Sequence, residues 1–95
     1  MPRFRIRLMD PLTVHIGKTK LDVQAEEEAT LYDVVTEVGR KYGEIVKKKI
    51  VGPDGDLHPY VLVSVNGTDI RQLDGIYTRL HDGDKMLVAL LIVGG

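Results

Sequence analysis

Apolar residues recur at every second position from Phe4 to Leu8 and at every third or fourth position from Leu31 to Tyr42. That change of period constrains the fold more than any other feature of the chain. Arg3, Arg5 and Arg7 alternate with Phe4, Ile6 and Leu8, which predicts a strand with one buried face. Leu31, Val34, Val35, Val38 and Tyr42 fall at i, i+3, i+4, i+7 and i+11, one stripe along a helix. Thr30 stands three positions before Asp33, a capping-box spacing, and Glu26, Glu27 and Glu28 lie just upstream, where a helix N-terminus favours negative charge. The helix is expected to begin near Thr30, to tolerate Gly39 and to stop at Gly43. Glu44 to Ile50 adds a further helical stretch, with Lys47, Lys48 and Lys49 near an end that favours cations.

Strands fill most of the rest. After a break at Pro11, Leu12 to Ile16 is expected to form an irregular or doubled arm of a second strand, turned at Gly17-Lys18 and continued by Lys20 to Ala25. Gly52 to Pro59 is rich in turn formers and predicts a surface loop. Tyr60 to Val65 predicts a strand, and Asn66-Gly67 a type I′ hairpin turn, which needs positive φ at both central residues. Thr68 to Arg71 should return beside it, Gln72 to Leu80 is irregular, and Asp82-Gly83-Asp84 turns the chain into a last strand, Lys85 to Val93. This order predicts an α+β chain of β-grasp type, a mixed sheet of about five strands packed on one main helix. Residues 1–95 are expected to form a single domain with a flexible tail at 93–95. The first and last strands should be parallel neighbours at the sheet centre, and one sheet face should stay open.

Ninety-five residues leave little room for a large enzyme site. Thirteen Lys and Arg against 14 Asp and Glu give a net charge of -1, no field that would gather nucleic acid or an anionic membrane. The chain has no cysteine, so disulfides, thiolate metal sites and a sulfur-carrying thiol are all excluded. Met86 to Val93 is the longest apolar run and is too short to span a bilayer, and no signal-peptide pattern opens the chain, so a cytoplasmic protein is expected. His15, His58 and His81 have no ligand spacing, and the two Asp-Gly-Asp turns lack the further oxygens of a calcium loop.

The last strand is apolar on both sides, with Met86, Val88, Leu90 and Ile92 on one and Leu87, Ala89, Leu91 and Val93 on the other. A helix on one face needs half of them. Leu87, Ala89, Leu90, Leu91, Ile92 and Val93 are therefore candidates for a docking surface, with Arg5 and Arg7 along its border. The strand runs into Gly94-Gly95. A random chain ends in this pair roughly once in 200 cases. Two glycines make a thread thin enough for a narrow channel, and Gly95 would carry a bare main-chain carboxylate that another protein can activate.

The run Val61-Leu62-Val63-Ser64-Val65-Asn66-Gly67-Thr68-Asp69-Ile70-Arg71, then Leu73-Asp74-Gly75, Leu80, Asp82-Gly83-Asp84 and the apolar strand closing on Gly94-Gly95 resembles the small subunit of molybdopterin synthase, the MoaD family. More broadly it resembles the MoaD and ThiS group of ubiquitin-like sulfur carriers. MoaD proteins usually carry aromatic residues and a proline pair ahead of the tail, where this chain has Val88 to Ile92.

The resemblance implies a mechanism. A ubiquitin-activating-type adenylyltransferase, MoeB- or ThiF-like, would bind the apolar face and convert the Gly95 carboxylate to an acyl-adenylate, with Gly94 letting the tail thread. A sulfur donor would displace AMP and leave a thiocarboxylate. ATP and Mg²⁺ would belong to that partner and no cofactor to this chain, which would be a carrier and cosubstrate rather than a stand-alone enzyme. The tail would then enter a MoaE-like large subunit of molybdopterin synthase and supply sulfur for the molybdenum cofactor. Two alternatives stay open: conjugation of Gly95 to lysines, as in a ubiquitin-like modifier, and a ThiS-like carrier serving thiamine or tRNA thiolation.

Overall fold

The computed structural model describes residues 1–10 and 12–90. Strand β1, Arg3–Leu8, alternates exposed arginines with buried Phe4, Ile6 and Leu8, as its period dictates. Helix α1, Leu12–Ile16, follows, then β2, Lys20–Gln24, and helix α2, Leu31–Tyr42. Thr30 caps α2 reciprocally: its Oγ1 accepts from the Asp33 N–H and the Asp33 carboxylate accepts from the Thr30 N–H. Two otherwise unpaired amides at the helix start are satisfied in this way. Gly43, at φ 115°, stops the helix in a conformation that suits glycine, and α3, Glu44–Ile50, turns back against it.

Gly39 is required rather than tolerated. A Cβ there would lie 2.9 Å from the Lys47 Cβ, so its bare Cα is what lets α3 fold onto α2. Beyond the loop run β3, Val61–Val65, and β4, Thr68–Asp69, joined by Asn66-Gly67 with φ 52° and 87°, the two positive values a type I′ turn needs. Two short 3₁₀ turns, Ile70–Gln72 and Gly75–Tyr77, lead to β5, Lys85–Leu90.

The sheet order is β2-β1-β5-β3-β4, with β1 and β5 parallel at the centre and the other pairings antiparallel. This is the expected β-grasp arrangement. Leu31, Val34, Val35 and Val38 of α2 join Phe4, Ile6, Leu21, Val23, Val63, Met86 and Val88 in one buried cluster on one side of the sheet.

Two expectations fail. Leu12–Ile16 is a helical turn and not a strand arm: Leu12 is buried and Ile16 packs on the core, while Val14 is 76% exposed. A strand would put all three on one face, whereas helical geometry puts Leu12 and Ile16 together, four residues apart, and turns Val14 away. The return strand also ends early. The Asp69 carboxylate accepts from the Arg71 N–H at 2.9 Å and starts a 3₁₀ turn, which drives Ile70 fully into the core.

Candidate functional site

The open sheet face is set by register. Across it lie Asp22, Arg5 and Lys85 in one row and Lys20, Arg7, Leu87, Ser64 and Asp69 in the next, with Ala89 beside Leu62 beyond. Five cations, Arg3, Arg5, Arg7, Lys20 and Lys85, thus crowd one end of the face. Half-buried Leu62, Leu87 and Ala89 form its apolar part on β3 and β5. Arg5 pairs with Asp22, its Nε donating at 3.2 Å. Arg7 and Lys20, by contrast, are direct cross-strand partners of like charge, an arrangement that costs stability.

The start of β5 is pinned by the two turns singled out in the sequence. The Asn66 side chain accepts from the Lys85 N–H and donates to the Asp84 carboxylate, both at 3.0 Å, and the Asn66 N–H donates to the Lys85 carbonyl at 2.8 Å. The Asp82 carboxylate meanwhile accepts from the Arg3 N–H at 2.8 Å. These bonds fix where β5 enters the sheet and hence where it leaves, next to the start of β3: Ala89 pairs with Leu62 and Leu90 with Val61.

Of the residues proposed from sequence, Arg5, Arg7, Leu87 and Ala89 come together on the open face. Leu90 lies on the other face, partly buried against the core. Leu91, Ile92, Val93, Gly94 and Gly95 lie outside the described residues. Lys20, Leu62 and Lys85 share the face and were not singled out. The period-two pattern of their strands placed each on one side, but cross-strand neighbours need the register, which periodicity alone does not supply.

Among the described residues no group of three His, Asp or Glu could hold a metal ion, and no helix is long and apolar enough to cross a membrane. Among the described residues of the open face, Ser64 lies opposite Asp69 across the strands without a hydrogen bond between their side chains. The arrangement suits protein docking beside a strand end.

Comparison with known proteins agrees with this geometry. The chain is 31% identical over 80 residues to small archaeal modifier protein 3 of Haloferax volcanii, covering 84% of this chain and 85% of that protein. It is 31% identical over 86 residues to the sulfur carrier protein CysO of Mycobacterium tuberculosis, covering 88% and 89%. Among solved structures it matches the Amycolatopsis orientalis BexX/CysO complex with a TM-score of 0.81 at 24% identity, over 97% of this chain and 99% of the matched one, a likeness of fold. The ThiS family model matches residues 7–95. By its β-grasp fold, its relatives and that match, the chain belongs to the ThiS family of ubiquitin-like sulfur carriers and modifiers.

Proposed function

We propose that this protein is a sulfur carrier that works through the main-chain carboxylate of Gly95. The observation that carries the reading is that the family match runs through Gly94 to Gly95, in a chain without cysteine. Sulfur carried in this way would sit on the main chain and not on a cysteine side chain. A Gly95 carboxylate oxygen attacks the α-phosphorus of ATP in a partner adenylyltransferase, and pyrophosphate leaves. A donor at the oxidation level of sulfide then attacks the acyl carbon, AMP leaves, and a thiocarboxylate remains. ATP and Mg²⁺ belong to the partner.

The open face is the docking surface in this reading. Leu62, Leu87 and Ala89 would meet apolar side chains of the partner. Arg5, Arg7, Lys20 and Lys85 call for carboxylates around them, since a face that keeps Arg7 opposite Lys20 gives up local stability that an acidic partner restores. In this reading Leu91, Ile92 and Val93 would also meet the partner, and Gly94 would let the backbone pass through a channel.

As the first sulfur acceptor we propose a large subunit of molybdopterin synthase, on the strength of the resemblance from Val61 to Gly75 and at Asp82-Gly83-Asp84. A carrier for thiamine or tRNA thiolation would use the same tail. A second reading, conjugation of Gly95 to lysines, is favoured by the likeness to small archaeal modifier protein 3.

Intact mass of protein purified from its native cells tests the proposal. A species with one oxygen replaced by sulfur, assigned to Gly95 by fragmentation, is expected, and it should vanish when Gly94 and Gly95 are deleted. Lysines of other proteins that carry the Met86–Gly95 peptide in isopeptide linkage after tryptic digestion, without any sulfur-bearing species, would favour the modifier instead. If the truncated chain still supports sulfur transfer, the tail is not the site.

A further inference from the structure

The two edges of the sheet differ in what they offer another strand. β4 is two residues long and gives a poor template, whereas β2 runs five residues in regular alternation. The Thr19 carbonyl accepts from the Leu8 N–H, and the Ala25 N–H donates to the Pro2 carbonyl. In an antiparallel ladder alternate residues face the partner strand, so Lys20, Asp22 and Gln24 turn their main-chain groups outward. At the middle of that row the groups are taken. The Asp22 N–H donates to Tyr42 Oη at 2.9 Å, the Tyr42 hydroxyl donates to the Asp22 carbonyl at 3.2 Å, and Lys41 Nζ donates to the same carbonyl at 2.6 Å.

Both side chains come from the last turn of α2. The Tyr42 ring packs against the core, and the Lys41 ammonium lies 5.3 Å from its centroid, an arrangement that steadies both. We infer that Tyr42 and Lys41 form a latch over the edge of β2 and that its role is to keep this edge from pairing with a second copy of the chain.

The second copy is the occupant that the sequence of β2 fits. Two antiparallel β2 strands set so that Lys20 faces Asp22 would exchange main-chain hydrogen bonds at both positions and match each ammonium with a carboxylate. With the latch closed, the central N–H and C=O of that pairing have partners within their own molecule. Strand exchange must first break three hydrogen bonds, one of them charge-assisted.

Lys41→Met together with Tyr42→Phe removes the donors and acceptor while keeping the packed ring and most of the aliphatic stem. Sedimentation of this variant should show self-association tightened roughly tenfold or more over the wild-type protein. Adding Lys20→Pro, which removes an outward N–H that this pairing uses, should return it to monomer. In the wild-type protein, amide exchange at Asp22 should be slow beside that at Lys20 and Gln24. A folded double variant that sediments as the wild type does would overturn the inference. Should the variant not fold, the wild-type exchange decides: an Asp22 amide as fast as those of Lys20 and Gln24 means there is no latch.

Discussion

The two faces of this sheet are built from the same strands, yet they follow opposite rules. On the helix side Phe4, Ile6, Val63, Met86 and Val88 are almost fully removed from water and packed on α2. On the open side Arg5, Arg7, Lys20 and Lys85 crowd together, with two of the cross-strand pairs, Arg7–Lys20 and Arg5–Lys85, like-charged, and Leu62, Leu87 and Ala89 stay half-buried with no element of the chain described over them. The buried face is close to what stability alone would select. The open face departs from it where the proposed partner would sit. The difference therefore separates residues that hold the fold from residues that use it, and substitutions on the two sides should have different signatures.

The largest effect belongs to the buried face. Phe4 is 1% exposed at the centre of the cluster, and Phe4→Ala should cost about 3–5 kcal/mol, much of the stability a domain this size has. Urea unfolding should show the midpoint collapse. Leu87→Ala, on the other face of the neighbouring strand, should shift it far less and weaken partner capture instead. Equal losses at the two sites would mean that the faces are not divided as described.

Gly39→Ala comes next and tests the layer above the buried face. The added methyl meets the Lys47 Cβ, which is fixed to the backbone of α3 and cannot swing aside as the far end of the side chain could. A loss of about 1–3 kcal/mol is expected in thermal or urea unfolding, even though alanine is the better helix former. A gain would show that α3 moves freely against α2.

Much of this division was legible in the sequence, and its limits have physical causes. The alternation in β1, the stripe of α2, the Thr30–Asp33 box and the Asn66-Gly67 turn each depend on near neighbours, so a linear reading reaches them. Leu12–Ile16 was misread because five residues with Val14 and Ile16 among them fit either period, and the choice was made by which side chains found the core. Gly39 was undervalued because its reason lies eight residues away, in a helix that packs back on its own. The open face was half visible: Arg5, Arg7, Leu87 and Ala89 could be named, but Lys20 and Lys85 joined them only through the register of β2 and β5 with β1. Tyr42 read as one more apolar position, and its hydroxyl on the edge of β2 had no sequence signal at all.

The smallest expected effect is the sharpest test, because its sign is opposite to the others. Lys20 and Arg7 form a cross-strand pair, and the pair two residues along, Asp22 with Arg5, has the same orientation and makes an ion pair at 3.2 Å. The main-chain groups of Asp22 point away from β1, so these are pairs without mutual hydrogen bonds, in which side chains come closest. Lys20→Glu should convert a repulsion into a second copy of the Arg5–Asp22 contact and raise stability by about 0.2–1 kcal/mol. The gain should shrink in high salt, since both groups are exposed to solvent. The same change removes one cation from the face and buries none, so capture of an acidic partner should weaken while the fold strengthens. A variant less stable than the wild type would show that Arg7 and Lys20 do not oppose each other. A variant that is more stable and still holds its partner as tightly would place the docking surface elsewhere.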